Sequence, residues 1–240
     1  MVSVDLPTLF GRGAARDSAD AAATPVELPG LIVRVGVWVA IVGFAAQGVA
    51  DIVGFIWFDG TVDQLSADEE FTIWSWASST ATACAALAAG LLAVAHGGRK
   101  GTYLLLAAIL AFFSGDDMLQ IHERLNANLG GADETTRIVW PVVYLPLLIA
   151  SFLLLWRCAA HACGSASRSI RLGLLMLVAA VGCEVVSFGM VQIELDRGTF
   201  AYELEVIVEE GLELAAWILI ASGLMAGFVD RTMHPSHELR

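Results

Sequence analysis

Six apolar stretches, each long enough to cross a bilayer as a helix, direct this chain towards an all-α, polytopic membrane helix bundle. A crossing takes about 20 predominantly apolar residues. The stretches run over residues 31–58, 71–96, 102–125, 138–156, 170–193 and 202–229. Composition agrees, since 57% of the residues are hydrophobic and only 16% charged, against about 25% charged in an ordinary soluble domain. The expected organisation is a disordered cytoplasmic arm over 1–30, a six-helix transmembrane domain over 31–229 and a cytoplasmic tail over 230–240. The arm does not read as a signal peptide: the apolar run starts only at Leu31 and is too long for one.

Local signals punctuate the spans. Ser66-Ala67-Asp68-Glu69 has capping-box form ahead of the second span. That span is rich in Ala, Ser and Thr, which suit close helix contact and place it centrally in the bundle. A basic turn, His96 to Gly101, separates it from the third. Pro141 fits the opening turn of the fourth span, and Pro146 should kink it. Gly223-x-x-x-Gly227 reads as a small-residue pair for packing within the chain.

Basic residues set the orientation, because they accumulate on the cytoplasmic side. With the N-terminus inside, Arg12, Arg16, Arg34, Arg99, Lys100, Arg157, Arg168, Arg171, Arg231 and Arg240 are cytoplasmic. Only Arg124, Arg137 and Arg197 fall outside. Trp57, Trp74, Trp76 and Trp140 then lie at the outer interface and Trp156 at the inner one. The expected location is the plasma or inner membrane, with both termini cytoplasmic. The net charge of −12 argues against nucleic-acid binding and a polybasic surface role. Membrane lipids are the expected partners, and a homo-oligomer stays open.

The acidity is concentrated within the spans rather than in a tail. Asp116, Glu184 and Glu213 lie about 22, 21 and 24 Å from the inner ends of spans three, five and six at 1.5 Å per residue. Three helices thus bring carboxylates to one level. Asp51, His122, Glu123 and Glu209 form a second tier further out. Asp116 and Glu123 share a helix face, and Glu205, Glu209 and Glu213 form an i, i+4, i+8 stripe. Acids inside spans are costly and face a bundle interior, a cavity or a partner. Arg124 and Arg197 are the only plausible nearby basic partners, so shared protons or bound cations are favoured over salt bridges.

Three functions fit. In the leading reading, spans three, five and six converge on an outward-facing cavity where Asp116, His122, Glu123, Glu184, Glu209 and Glu213 hold a divalent metal. Such an ion, Mn²⁺, Fe²⁺, Zn²⁺ or Ca²⁺, would activate water for hydrolysis of a lipid or lipid-linked substrate. In the alternative, the same carboxylates carry protons or cations across the membrane. In the third, the acids mark helix ends beyond the bilayer, which suits Glu203 and Glu205 best, in a protein of structural or assembly role. Whether Asp117, Glu205 and Glu210 join the site stays open.

Other chemistries are excluded or weaker. No lysine lies in a span, so a retinal Schiff base is ruled out. No Gly-x-Ser-x-Gly elbow occurs. Cys158-x-x-His161-x-Cys163 offers three soft ligands, but a reduced loop is the simpler account. The stretch Ser114-Gly115-Asp116-Asp117-x-x-x-x-His122-Glu123, with Glu209-Glu210-x-x-Glu213, resembles a pattern in uncharacterised bacterial multipass membrane proteins. There a Ser-x-Asp-(Asp/Glu) pair precedes His-Glu, and a Glu-Glu-x-x-Glu helix follows. The resemblance implies that these residues work as a set, without implying an activity. The chain does not look like the ceramidase and adiponectin-receptor type of hydrolase, whose zinc site needs three histidines.

Overall fold

The computed structural model describes residues 28–58, 66, 72–119, 121, 139–192 and 199–234. Six helices and no strands occur among them: α1 (Leu28–Phe58), α2 (Ile73–Ala95), α3 (Lys100–Leu119), α4 (Val139–His161), α5 (Gly164–Gln192) and α6 (Phe200–Met233). All six are long and apolar enough to cross a membrane, and the protein is a multipass helical bundle.

Helix limits differ from the apolar limits for identifiable reasons. α1 is described from Leu28, and Pro29 sits in that opening turn, where a residue without an N–H is tolerated. α5 begins at Gly164, six residues before its apolar run, because its polar start packs on α6. Ala166 and Ser169 are buried there, and the Ser169 hydroxyl donates to the Leu219 carbonyl at 2.7 Å. α2 is capped by Thr72, whose hydroxyl accepts from the Ser75 amide at 3.3 Å, while the Ser75 hydroxyl accepts from the Thr72 amide at 3.0 Å. Of the box expected at 66–69, Ala67, Asp68 and Glu69 lie outside the described residues. Thr199 caps α6 by accepting from the Tyr202 amide. Pro146 lies within α4.

α6 is the hub of the bundle. It packs along α1, α2 and α5, whereas α3 packs on α2 and α4. The expected convergence of spans three, five and six is therefore corrected: five and six meet closely, and three turns to α2 and α4. Depth along a helix axis places residues at a level but does not choose which neighbour they face. The central position of α2 holds, with Ala85, Ala88, Ala89 and Ala93 in the core. Around them lie Leu106 and Leu110 of α3, Leu155 of α4, Leu174 of α5, and Ile220 and Leu224 of α6. Lipid is as apolar as these side chains, so close van der Waals fit rather than water exclusion holds them.

α1 and α5 both run antiparallel to α6. Gly48 lies against Ile207 and Gly211 against the Phe44 ring, while Gly173 meets Ala216 and Ile220 and Gly223 meets Ala166 and Ile170. Gly223 thus packs within the chain as expected, whereas Gly227 faces open space. At one end of the bundle Arg99, Cys158 and Arg231 surround Tyr103. We call this the basic end and the other the acidic end. Trp57 and Trp76 are exposed towards the acidic end. Trp156 is exposed near the basic one, with the Arg171 guanidinium 5.6 Å from its ring centroid.

Candidate functional site

Three polar groupings occupy the acid-rich half of the bundle. The first joins α2, α3 and α4. Ser79 and Ser114 clasp the first two helices: each hydroxyl donates to the other residue's carbonyl, at 2.8 and 2.9 Å. Two residues further on, Asp116 is buried and its Oδ1 accepts from the Tyr144 hydroxyl of α4 at 2.9 Å. Tyr144 is buried too, its ring 5.7 Å from that of Phe112. The pair pins α4 to α3, helices with few other contacts. Tyr144→Phe is expected to cost about 1 kcal/mol, the scale of interhelical hydrogen bonds in membranes. Unfolding in mixed micelles measures this, and an unchanged midpoint would remove Tyr144 from its pinning role.

The second grouping lies on α5 and α6. The i, i+4, i+8 spacing brings Glu205, Glu209 and Glu213 to one face of α6. The Ser187 hydroxyl of α5 donates to Glu205 Oε2. Glu209 lies close enough to feel the charges of Glu205, Glu184 and Glu213. Trp217 Nε1 donates to Glu213 Oε1 at 3.1 Å, one turn along the helix. Glu184 is exposed on α5 beside the exposed valines 181, 185 and 186, so it approaches the group from the bundle's surface. About 26 Å of helix separates Asp230 at the basic end from Glu213, which places the stripe near the far limit of a roughly 30 Å hydrocarbon layer.

The third grouping is in the α1–α6 interface. Gln47 is 1% exposed and Asp51, one turn away, is 6% exposed. Neither Gln47 Nε2 nor Oε1 has a hydrogen-bond partner among the described residues. The Gly48–Ile207 and Gly211–Phe44 contacts put Gln47 at the level of Glu209. It reaches α6 from the α1 side, while Glu205 faces α5. Sequence reasoning missed Gln47. Its signal was an amide within an apolar run, one turn from an acid already singled out.

The structure therefore brings Glu184, Glu209 and Glu213 together, adds Glu205, and seats Asp116 with Tyr144. His122 and Glu123 lie outside the described residues. Among those described, no three His, Cys, Asp or Glu side chains are arranged to hold a metal ion. Cys158, His161 and Cys163 form no such group either: His161 Nδ1 bonds the Arg157 carbonyl at 2.7 Å, and Cys163 lies 3.8 Å from the Ser165 hydroxyl. What the α5–α6 group can do follows from its oxygens. Like charges this close do not all ionise unless protons are shared or a cation intervenes.

No curated protein and no solved structure matches the chain. One family model matches residues 31–227, from the first turn of α1 almost to the end of α6. The stretch covers all three polar groupings, and the chain belongs to that family, described as a domain of unknown function (DUF8692).

Proposed function

We propose that this protein exchanges protons or small cations at the carboxyl cluster of α5 and α6. It would do so in a plasma or inner membrane, with both termini cytoplasmic. The observation that carries the reading is the grouping of Glu184, Glu205, Glu209 and Glu213 within electrostatic range near the acidic end. A stripe of carboxyls along one helix suits stepwise proton or cation transfer, because each site is close enough to the next to pass its occupant on. The orientation rests on the basic residues Arg34, Arg99, Lys100, Arg157, Arg168, Arg171 and Arg231, which the helix order gathers towards the opposite end.

Proteoliposomes holding wild type or Glu209→Gln test the proposal, with luminal pH and cation uptake followed after a pH jump. Wild type should dissipate the gradient, and the variant should do so at least about tenfold more slowly, because an intramembrane carboxyl cannot be replaced by an amide in proton transfer. Equal rates would sink the idea. The divalent-metal reading draws on the same oxygens, which suit a hard cation such as Ca²⁺ or Mn²⁺. Elemental analysis of wild type against Glu209→Ala with Glu213→Ala separates the two. Stoichiometric metal lost in the variant would favour an ion that activates water against a lipid-linked bond.

A further inference from the structure

At the basic end, away from the carboxyls, a cleft of about 260 Å³ opens between the α2–α3 turn, the start of α3 and the end of α4. It is lined by Arg99, Thr102, Tyr103, Arg157, Cys158 and His161. We propose that this cleft binds the phosphate of an anionic lipid headgroup.

The lining carries two guanidinium groups, an imidazole and two hydroxyls, and no carboxylate. Among the described residues neither Arg99 nor Arg157 forms a salt bridge with an acid. The charges of Arg99 and, from α6, of Arg231 both act on Tyr103, a lining residue only 5% exposed. His161 uses Nδ1 to donate to the Arg157 carbonyl, which leaves Nε2 on the other edge of the ring. Planar guanidinium forks match phosphate oxygens in pairs, and arginines brought to one cleft from the α2–α3 turn and from α4 hold a phosphate more selectively than a dispersed positive surface does.

Position and size point to a lipid. The cleft lies where α2 ends at Ala95, α3 begins at Lys100 and α4 ends at His161, the depth of the headgroups. Basic pockets between helices at this depth bind anionic headgroups. Its volume falls below the roughly 300–1,000 Å³ of pockets that enclose a whole small-molecule ligand, so it suits a headgroup whose acyl chains stay outside. The adjoining turns of α3 and α4 expose Leu104, Leu105, Leu153 and Trp156, an apolar surface on which those chains would lie. A scatter of solvated arginines would also satisfy the orientation rule. It would not require a cleft, a buried tyrosine among the lining residues, or the absence of acids from the lining.

The test uses full-length protein in maltoside micelles. It is titrated with dioleoyl phosphatidylglycerol, with dioleoyl phosphatidylcholine and with inorganic phosphate, and read by native mass spectrometry and melting temperature. Phosphatidylglycerol should be retained at least about fivefold better than phosphatidylcholine and should raise the melting temperature. Arg99→Gln with Arg157→Gln should weaken its retention about tenfold, the loss of two charge-assisted contacts. Tyr103→Phe should give a smaller loss, and Lys100→Gln, outside the lining, should retain the lipid like wild type. Equal retention of both lipids, or of phosphatidylglycerol by the double variant and wild type, would overturn the site. Protection by millimolar inorganic phosphate equal to that by phosphatidylglycerol would overturn the lipid as its source.

Discussion

Gly173→Leu combined with Gly223→Leu is expected to leave no folded bundle. The two glycines form a reciprocal seam between α5 and α6. A β-carbon at Gly173 would lie 2.8 Å from the Ala216 carbonyl oxygen, and one at Gly223 would lie 2.9 Å from that of Ala166. Overpacking costs ~1–3 kcal/mol where neighbouring side chains can yield. Here the obstacle is backbone, so each substitution falls at the top of that range or above it. The pair would consume much of the ~5–15 kcal/mol by which folded proteins exceed their unfolded states. Parting the helices would also break the Ser169 to Leu219 hydrogen bond between the two contacts. The measurement is the monodisperse fraction after size exclusion in detergent, followed by thermal unfolding. Gly43→Ala is the control, since its β-carbon would meet the Leu214 side chain at an ordinary 3.5 Å. A double variant as stable as wild type would mean that α5 and α6 do not pack through these residues.

Gln47→Leu should have the opposite sign and make the protein more stable. An amide with neither polar atom bonded costs about 1–3 kcal/mol to bury, and leucine keeps nearly the same bulk at this 1% exposed position. The gain expected on thermal unfolding in micelles is about 1–2 kcal/mol, the lower part of that range, because polar groups in membranes find partial compensation even when unfolded. Stability that falls instead would show that the amide is satisfied by a bound ion, water or undescribed residue, making Gln47 a ligand. Measuring flux on the same variant separates the two roles. Faster unfolding together with lost flux marks a ligand, whereas higher stability with unchanged flux marks a packing residue.

How much of this was legible in the sequence follows from what one-dimensional patterns encode. Hydropathy gave the six crossings, because a bilayer imposes a length on every helix that spans it. It did not give the helix ends: Gly164 to Ser169 are polar enough to end a hydrophobic run yet still continue α5, since Ser169 finds its partner on α6. The Glu205, Glu209 and Glu213 stripe was visible because neighbours on one helix share a face at fixed spacing. The partner of Asp116 was not. Counting residues put Asp116, Glu184 and Glu213 at one depth, but the bearing of α3 about the bundle axis depends on contacts such as Ser79 with Ser114, which no count of residues along one helix reveals.

The position of α6 also constrains how the bundle is made. The helix that touches α1, α2 and α5 is the last of the six to leave the ribosome. α2 and α3 can clasp through Ser79 and Ser114 while translation continues, but α1 must wait in the lipid for its main neighbour, with Gln47 and Asp51 still uncovered. During that interval the nascent protein presents an unfinished polar face inside the bilayer. Membrane quality control and insertion factors would encounter it in that state, and the arrival of α6 closes the face and completes the bundle in one step.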